Sequence, residues 1–426
     1  MKKILTNKLF MGTFASDLIS NLGDTLYYLA LMTYVLSLPD ARFAIAAVSL
    51  SEILPMFLAL PIGLKADKTR EKLPAIFLTL VVRIILYAGL GLLMGFEPAL
   101  WIVLVACVIN LISDLAGQYE NGLFGPITLR ILEEEEREPA MAFKQTVRSI
   151  SGLGFQLLGA ILITLLTYQE LAFVNAGTFA LSAVILVILR PSLQGLLNQE
   201  PIQISTSSED LSASNPLVEL FKNARFAFVE LMKIPGLRMT MLVIPALNAV
   251  LSVLETLLLL SMKEYPHMII GNVATTLMLM TISILVGQVL GGMLAMGPMR
   301  QVAIAKIIFF ASVTPVLIFL AFLAQSTGLV MLSLCLAALG GGLATPKLQA
   351  LILNHMPEER LATVGAAIDS YFTAGILIAR VGTAAAVVLI SVSQLASVYL
   401  VLSLALFACS LVRLGKTCYT KQDKES

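Results

Sequence analysis

The sequence predicts an all-α membrane protein: twelve transmembrane helices in two pseudo-symmetric six-helix bundles. Three observations predict it. The chain is too apolar for an aqueous core, its apolar runs match the length of a membrane-crossing helix, and its second half repeats features of the first. Of 426 residues, 58% are hydrophobic and only 13% are charged, whereas soluble proteins carry about 25% charged residues. Mean hydropathy is +0.91. Lipid is therefore the solvent for most of the chain.

A helix crosses a bilayer with about 20 predominantly apolar residues. In chain order such runs fall at 9–37, 43–63, 73–95, 99–121, 142–166, 170–189, 239–262, 271–296, 302–324, 328–349, 362–390 and 394–413. They are continuous and lack the period-two alternation of a membrane barrel. The N-terminal MKKILTNKLF places bases ahead of an apolar run, as a signal peptide does. That run carries Asp17 and Asp24 and offers no small-residue cleavage site, so it is expected to stay as the first span.

Basic residues orient the spans. With the N-terminus inside, Lys2, Lys3, Lys8, Lys65, Lys72, Arg130, Arg137, Arg300, Lys347 and the C-terminal bases share one side. Only Arg42 and Lys263 fall opposite, so both termini are expected in the cytoplasm. The long middle connection divides the chain into an N-terminal bundle (1–190), a cytoplasmic linker (191–238), a C-terminal bundle (239–413) and a cytoplasmic tail (414–426). Within the linker, Asn215-Pro216 has the form of a helix start. Leu217, Leu220, Phe221, Ala224, Phe228 and Leu231 then recur at helical spacing. They read as an amphipathic helix on the membrane surface or as a plain helical linker.

Several function classes are excluded. Net charge is +1 with scattered bases, so no nucleic-acid partner is expected. The four cysteines (Cys107, Cys335, Cys409, Cys418) have no knuckle or framework spacing, and both histidines fall in expected loops, so no metal site is expected. No Walker-type phosphate loop and no nucleophile–base set is visible, so neither an enzyme nor a cofactor is implied.

The halves repeat in parallel. Asp17 and the LGDTL of residues 22–26 in the first span match Asn248 and the VLETL of residues 253–257 in the seventh, placing Asp24 opposite Glu255. The segment at 125–140 resembles that at 345–362, each leading into another span. Two facing six-helix bundles with like orientation follow from such a repeat.

A charge at the centre of a span costs roughly 2.5–3.5 kcal/mol on insertion scales, which marks such residues as functional candidates. They are Asp17, Asp24, Glu52, Asp114, Glu255 and Asp369 among acids, and Arg83, Arg148 and Arg380 among bases. The acidic surplus suits protons and cationic or neutral amphipaths. Asp17, Asn21 and Asp24 are spaced i, i+4, i+7 and share one helix face. Asp24 is the leading candidate to carry a coupling proton, with Glu255, Asp114 and Glu52 as secondary sites; the alternative is that Asp24 only holds a neighbouring helix. Arg83 is expected to pair with Glu52 or with Asp24. Arg148, Asp369 and Arg380 are candidates for gate salt bridges.

The loop GLKADKTREK (63–72) resembles the G-x-x-x-D-[RK] loop of the major facilitator superfamily. Gly63, Asp67 and Lys68 match it and Arg70 adds a base, standing where the family pattern has glycine. SNLGDTLYYLAL in the first span and the E-R loop before the fifth resemble the macrolide-efflux and enterobactin-exporter (drug:H+ antiporter) branch. Span 4 lacks the arginine motif of other drug exporters, and Phe155-Gln156 replaces their Gly-Pro. The resemblance implies the major facilitator fold and a gating role for Asp67, which would contact the start of span 11. It also implies a monomeric exporter in a bacterial cytoplasmic membrane. Such a protein would expel small amphipathic substrates in exchange for protons by alternating access. The alternatives are a lipid or lysolipid flippase of the same fold and a non-transporting membrane sensor or scaffold.

Overall fold

The computed structural model describes residues 2–36, 38, 41–202, 225, 229, 232, 237–386 and 390–425. The linker positions Asn215, Pro216, Leu217, Leu220, Phe221, Ala224, Phe228 and Leu231 lie outside the described residues. Among those described, every regular element is helical. A short α1 (Lys2–Thr6) leads into α2 (Lys8–Leu36), α3 (Ala41–Lys68), α4 (Lys72–Leu93), α5 (Leu100–Ile131), α6 (Glu134–Leu165) and α7 (Tyr168–Gln199). After the connection come α8 (Leu237–Leu251), α9 (Leu254–Glu264), α10 (Val273–Met296), α11 (Ile304–Leu323), α12 (Thr327–His355), α13 (Leu361–Ala386) and α14 (Val392–Glu425).

Ten stretches among the described residues are long and apolar enough to cross a membrane, with α8 and α9 together forming one of them. Helices α2 and α3, of 29 and 28 residues, occupy the two other expected span positions. The fold is thus the all-helical membrane architecture that the sequence predicts. Two elements depart from the simplest reading. The seventh span is broken between Leu251 and Leu254. Helix α5 runs 32 residues to Ile131, about 48 Å at 1.5 Å per residue, well past the end expected near residue 121.

Contacts divide the chain into two units. One comprises Met1–Arg137, Ile150–Ala227 and Ile352–Ala367; the other comprises Glu138–Ser149, Phe228–Leu351 and Ile368–Ser426. Each unit thereby takes in a short segment from the other sequence half. In the first unit, α7 packs along α2 and α4, while α5 packs along α3 and α4. Its core holds the fully buried Tyr27, Tyr87 and Phe179. The Tyr27 and Tyr87 rings meet edge-on at 4.8 Å and those of Tyr87 and Phe179 stack at 5.6 Å. In the second unit, α11 packs on α14 and α8 around a separate cluster with Phe319 and Tyr399.

Small residues set the closest helix approaches, as membrane packing favours. Where α2 meets α7, a Cβ on Gly23 would overlap Thr178 Oγ1 and Asn175 Oδ1. That approach lets Ser20 and Ser182 bond hydroxyl to hydroxyl at 2.9 Å, and the Ser182 hydroxyl also donates to the Ser16 carbonyl at 2.9 Å. Gly23→Ala is therefore expected to destabilise the protein by about 1–3 kcal/mol, the usual range for overpacking. Gly177→Ala, where nothing lies within 4 Å of the new methyl, should leave stability unchanged or slightly raised. Thermal unfolding of both variants in detergent checks the contrast.

Candidate functional site

Four helices of the first unit enclose a polar cavity of about 320 Å³. Helix α2 contributes Asp17, Ser20, Asn21 and Asp24, and α3 contributes Glu52 and Pro55. Arg83 comes from α4, and Asp114, Gly117, Gln118, Glu120 and Asn121 come from α5. The i, i+4, i+7 face of α2 therefore turns into one cavity with Glu52, Arg83 and Asp114. Five carboxylates face a single guanidinium there.

That guanidinium is tightly held. Arg83 is 4% exposed. Its Nη2 donates to Asp24 Oδ2 at 2.7 Å and its Nε donates to Ser113 Oγ at 2.9 Å. Its Cζ lies 3.8 Å over the Phe179 ring, a cation–π contact. Of the two pairings open to Arg83, the structure takes Asp24. The second carboxylate oxygen, Asp24 Oδ1, is buried without a close hydrogen bond, as is Asn175 Nδ2 on α7, and the Asn175 side chain is the amide set beside Asp24.

Glu52 takes a different partner. Asn110 Nδ2 donates to Glu52 Oε1 at 2.7 Å and to Asp114 Oδ2 at 3.2 Å, while the Tyr87 hydroxyl donates to Asn110 Oδ1 at 3.2 Å. Glu120 accepts from Thr79 Oγ1 at 3.2 Å. Asn21 turns back on its own helix, donating to the Asp17 carbonyl at 2.6 Å.

Sequence reasoning missed Glu120 and Asn110. Glu120 stands next to the expected end of its span at residue 121, whereas α5 continues to Ile131. Asn110 carried a readable signal, since Asn110, Asp114 and Asn121 repeat along one helix face. Glu255 is the second residue of α9; its side chain lies outside the described residues.

The 63–72 segment, expected as a loop, is helical through Lys68 at the end of α3 and turns only at 69–71, and it finds defined partners within the first unit. Asp67 is 5% exposed, and its two oxygens accept from Ala362 N at 2.9 Å and Thr363 N at 2.7 Å. Ala362 and Thr363 belong to the first turn of α13, where free amide groups and the helix dipole favour an anion. A Cβ on Gly63 would lie 2.6 Å from the Ala362 carbonyl oxygen, so a side chain there would push the segment away. Lys72 Nζ braces the loop by donating to the Ala66 and Thr69 carbonyls at 3.0 and 3.3 Å. Lys68 and Arg70 are exposed.

The same segment is tied by Arg130, which pairs with Glu358 at 2.6 Å, and by Arg137, which donates to Asn354 Oδ1 at 2.7 Å. In the second unit, Lys347 pairs with Glu138 at 2.6 Å. Arg148 on α6 and Asp369 and Arg380 on α13 are exposed.

Comparison with known proteins adds a family. Residues 121–380 match the sequence model of the Major Facilitator Superfamily. No curated protein matches the chain. Among solved structures, an outward-facing bacterial homologue of the iron transporter ferroportin is 15% identical, with 96% of this chain and 99% of that chain aligned at a TM-score of 0.67. The proton:xylose symporter XylE is 12% identical over 96% of this chain and 95% of its own, with a TM-score of 0.63. The human organic anion transporter MFSD10 (TETRAN) is 14% identical over 95% and 99%, with a TM-score of 0.61. At these identities the likeness is one of fold.

Two outcomes follow from the geometry. Arg83→Met should lower stability by about 1.5–3 kcal/mol, the range for hydrogen bonds to charged groups, because Asp24 loses its counter-charge. Adding Asp24→Asn should restore part of that loss, since the stranded charge is then gone, and thermal unfolding of the three variants measures the coupling. Asp67→Ala should cost about 0.5–2 kcal/mol, as loss of a helix cap does. It should also raise hydrogen exchange at the amides of Ala362 and Thr363.

Proposed function

The chain belongs to the Major Facilitator Superfamily, and from that premise we propose that it is a proton-coupled exporter of hydrophobic or amphipathic compounds. It is a multi-pass membrane transporter of small substrates rather than an enzyme. The proposal adds direction, coupling and substrate class. The substrates would be drug- or macrolide-like, or siderophore-like, and would leave by alternating access. The membrane would be a bacterial cytoplasmic membrane, with both termini on the cytoplasmic side.

One observation carries the reading: Asp24 faces the acidic cavity with one oxygen on Arg83 and the other without a close hydrogen bond. The carboxylate is therefore neutralised on one side and open to a proton on the other. With Asp24 ionised, the Arg83 contact is a charge pair. A proton on Asp24 removes that attraction and turns the Arg83 charge toward the other carboxylates of the cavity, Glu120 among them. A cationic amphipath and a proton then compete for the same carboxylates, which is the requirement for exchange. Opposite charges 4 Å apart interact by about 4 kcal/mol at an effective dielectric constant of 20, so one proton is enough to shift the local balance.

Cells producing the protein should accumulate less of at least one probe from a panel of macrolides, cationic dyes and catecholate siderophores, and an uncoupler should abolish the difference. Asp24→Asn, at matched membrane levels, should remove uncoupler-sensitive efflux in inverted vesicles. Unchanged efflux by that variant would refute the role of Asp24. Movement of a fluorescent lysolipid, with none of the panel transported, would favour the flippase alternative.

A further inference from the structure

We infer that Glu52 and Asp114 form one proton-binding unit, joined through the amide of Asn110 and distinct from the Asp24–Arg83 pair. The inference rests on the transport reading for its place in the cycle, but the unit itself is a matter of geometry. Asn110 is 6% exposed. The Tyr87 hydroxyl donates to its Oδ1 at 3.2 Å, so the amide oxygen faces Tyr87 and both amide hydrogens face the acids. Tyr87 is fully buried, edge-on to Tyr27 and stacked on Phe179, which fixes the hydroxyl and through it the amide. The single Nδ2 then serves Glu52 Oε1 at 2.7 Å and Asp114 Oδ2 at 3.2 Å. Sharing one nitrogen keeps those two oxygens within about 6 Å, a distance at which carboxylates disturb each other's ionisation.

The surrounding groups do not separate the two acids. Asp17, Asp24 and Tyr27 face them from α2, Arg83 and Tyr87 from α4, and Cys107 and Glu120 from α5. Among the described residues Arg83 is the only cation lining the cavity, and its hydrogen bonds go to Asp24 and Ser113. Among the described residues no base donates to Glu52 or Asp114. A neutral amide can hold one carboxylate and one carboxylic acid together. With the Arg83 hydrogen bonds committed to Asp24 and Ser113, two adjacent charges on Glu52 and Asp114 would have no counter-charge bonded to either of them. The unit therefore carries one proton on two acids and exchanges it as a pair. In a transport cycle it supplies a second proton beside that of Asp24, with Asn110 as the positioning residue.

The test needs neither substrate nor membrane potential. The carboxyl C=O infrared band of the purified full chain in detergent is followed through a pH titration, for the parent protein, Glu52→Gln, Asp114→Asn and Asn110→Leu. Coupled acids give two steps separated by more than about one pH unit. Either acid substitution should remove the upper step and leave the other acid binding its proton about tenfold more weakly or less tightly still. Asn110→Leu, which deletes the shared donor, should move both steps together to higher pH. If the parent curve equals the sum of the two single-acid curves, or if Asn110→Leu moves one step alone, the unit does not exist. The two acid substitutions are close to isosteric and read the same coupling, so either folded variant decides the question. Independent titration in a protein that still exports with protons would sink the pair alone. Coupled titration in a protein without proton-driven efflux would sink the transport reading alone.

Discussion

The interaction on which the first unit depends is the capture of the Arg83 guanidinium. A charge in a lipid-embedded bundle has to be neutralised where it stands, because uncompensated burial costs several kcal/mol. Four helices share that task. Helix α4 supplies Arg83, α2 supplies Asp24, α5 supplies Ser113 and α7 supplies the Phe179 ring. Each contact is directional, so satisfying all three fixes the rotation of every contributing helix about its own axis. Asp17, Asn21 and Glu120 reach the cavity as a consequence of that registration.

A neutral network extends this charged node. The Phe179 ring that carries Arg83 also stacks on Tyr87, whose hydroxyl orients Asn110 and, through it, Glu52 and Asp114. Aromatic packing, a cation and two carboxylates are thus mechanically continuous across α3, α4, α5 and α7. The helix ends follow another logic. There Asp67 and Arg130 meet the first-turn amides of α13 and Glu358, where the helix dipole and single ion pairs hold the 352–367 segment within the first unit.

Much of this was legible before any coordinates. A carboxylate amid an apolar run is costly enough to announce itself, which is why Asp17, Asp24, Glu52, Arg83 and Asp114 could be picked out one by one. Helical periodicity put Asp17, Asn21 and Asp24 on one face. Glu120 escaped because span ends cannot be told from hydropathy alone when a helix outruns the bilayer. Asn110 escaped because it carries no charge, although its spacing with Asp114 and Asn121 marks one helix face. The break between α8 and α9 escaped because a run of apolar residues reads the same whether its helix is continuous or interrupted.

By itself the sequence determined the solvent, the number and order of span positions, the two-fold repetition and the residue types that had to find partners. Those properties are local: each depends on the transfer cost of a side chain or on a helical repeat of 3.6 residues. Only the tertiary structure decided which partner each charge took. Arg83 had Asp24 and Glu52 within its choice, and helix rotation gave it Asp24 and gave Glu52 to Asn110. Partner choice depends on the relative rotation and spacing of four helices distant in sequence, set by close approaches such as Gly23 on Asn175 and Thr178. Those quantities have no local signature, so they exist only once the helices are packed.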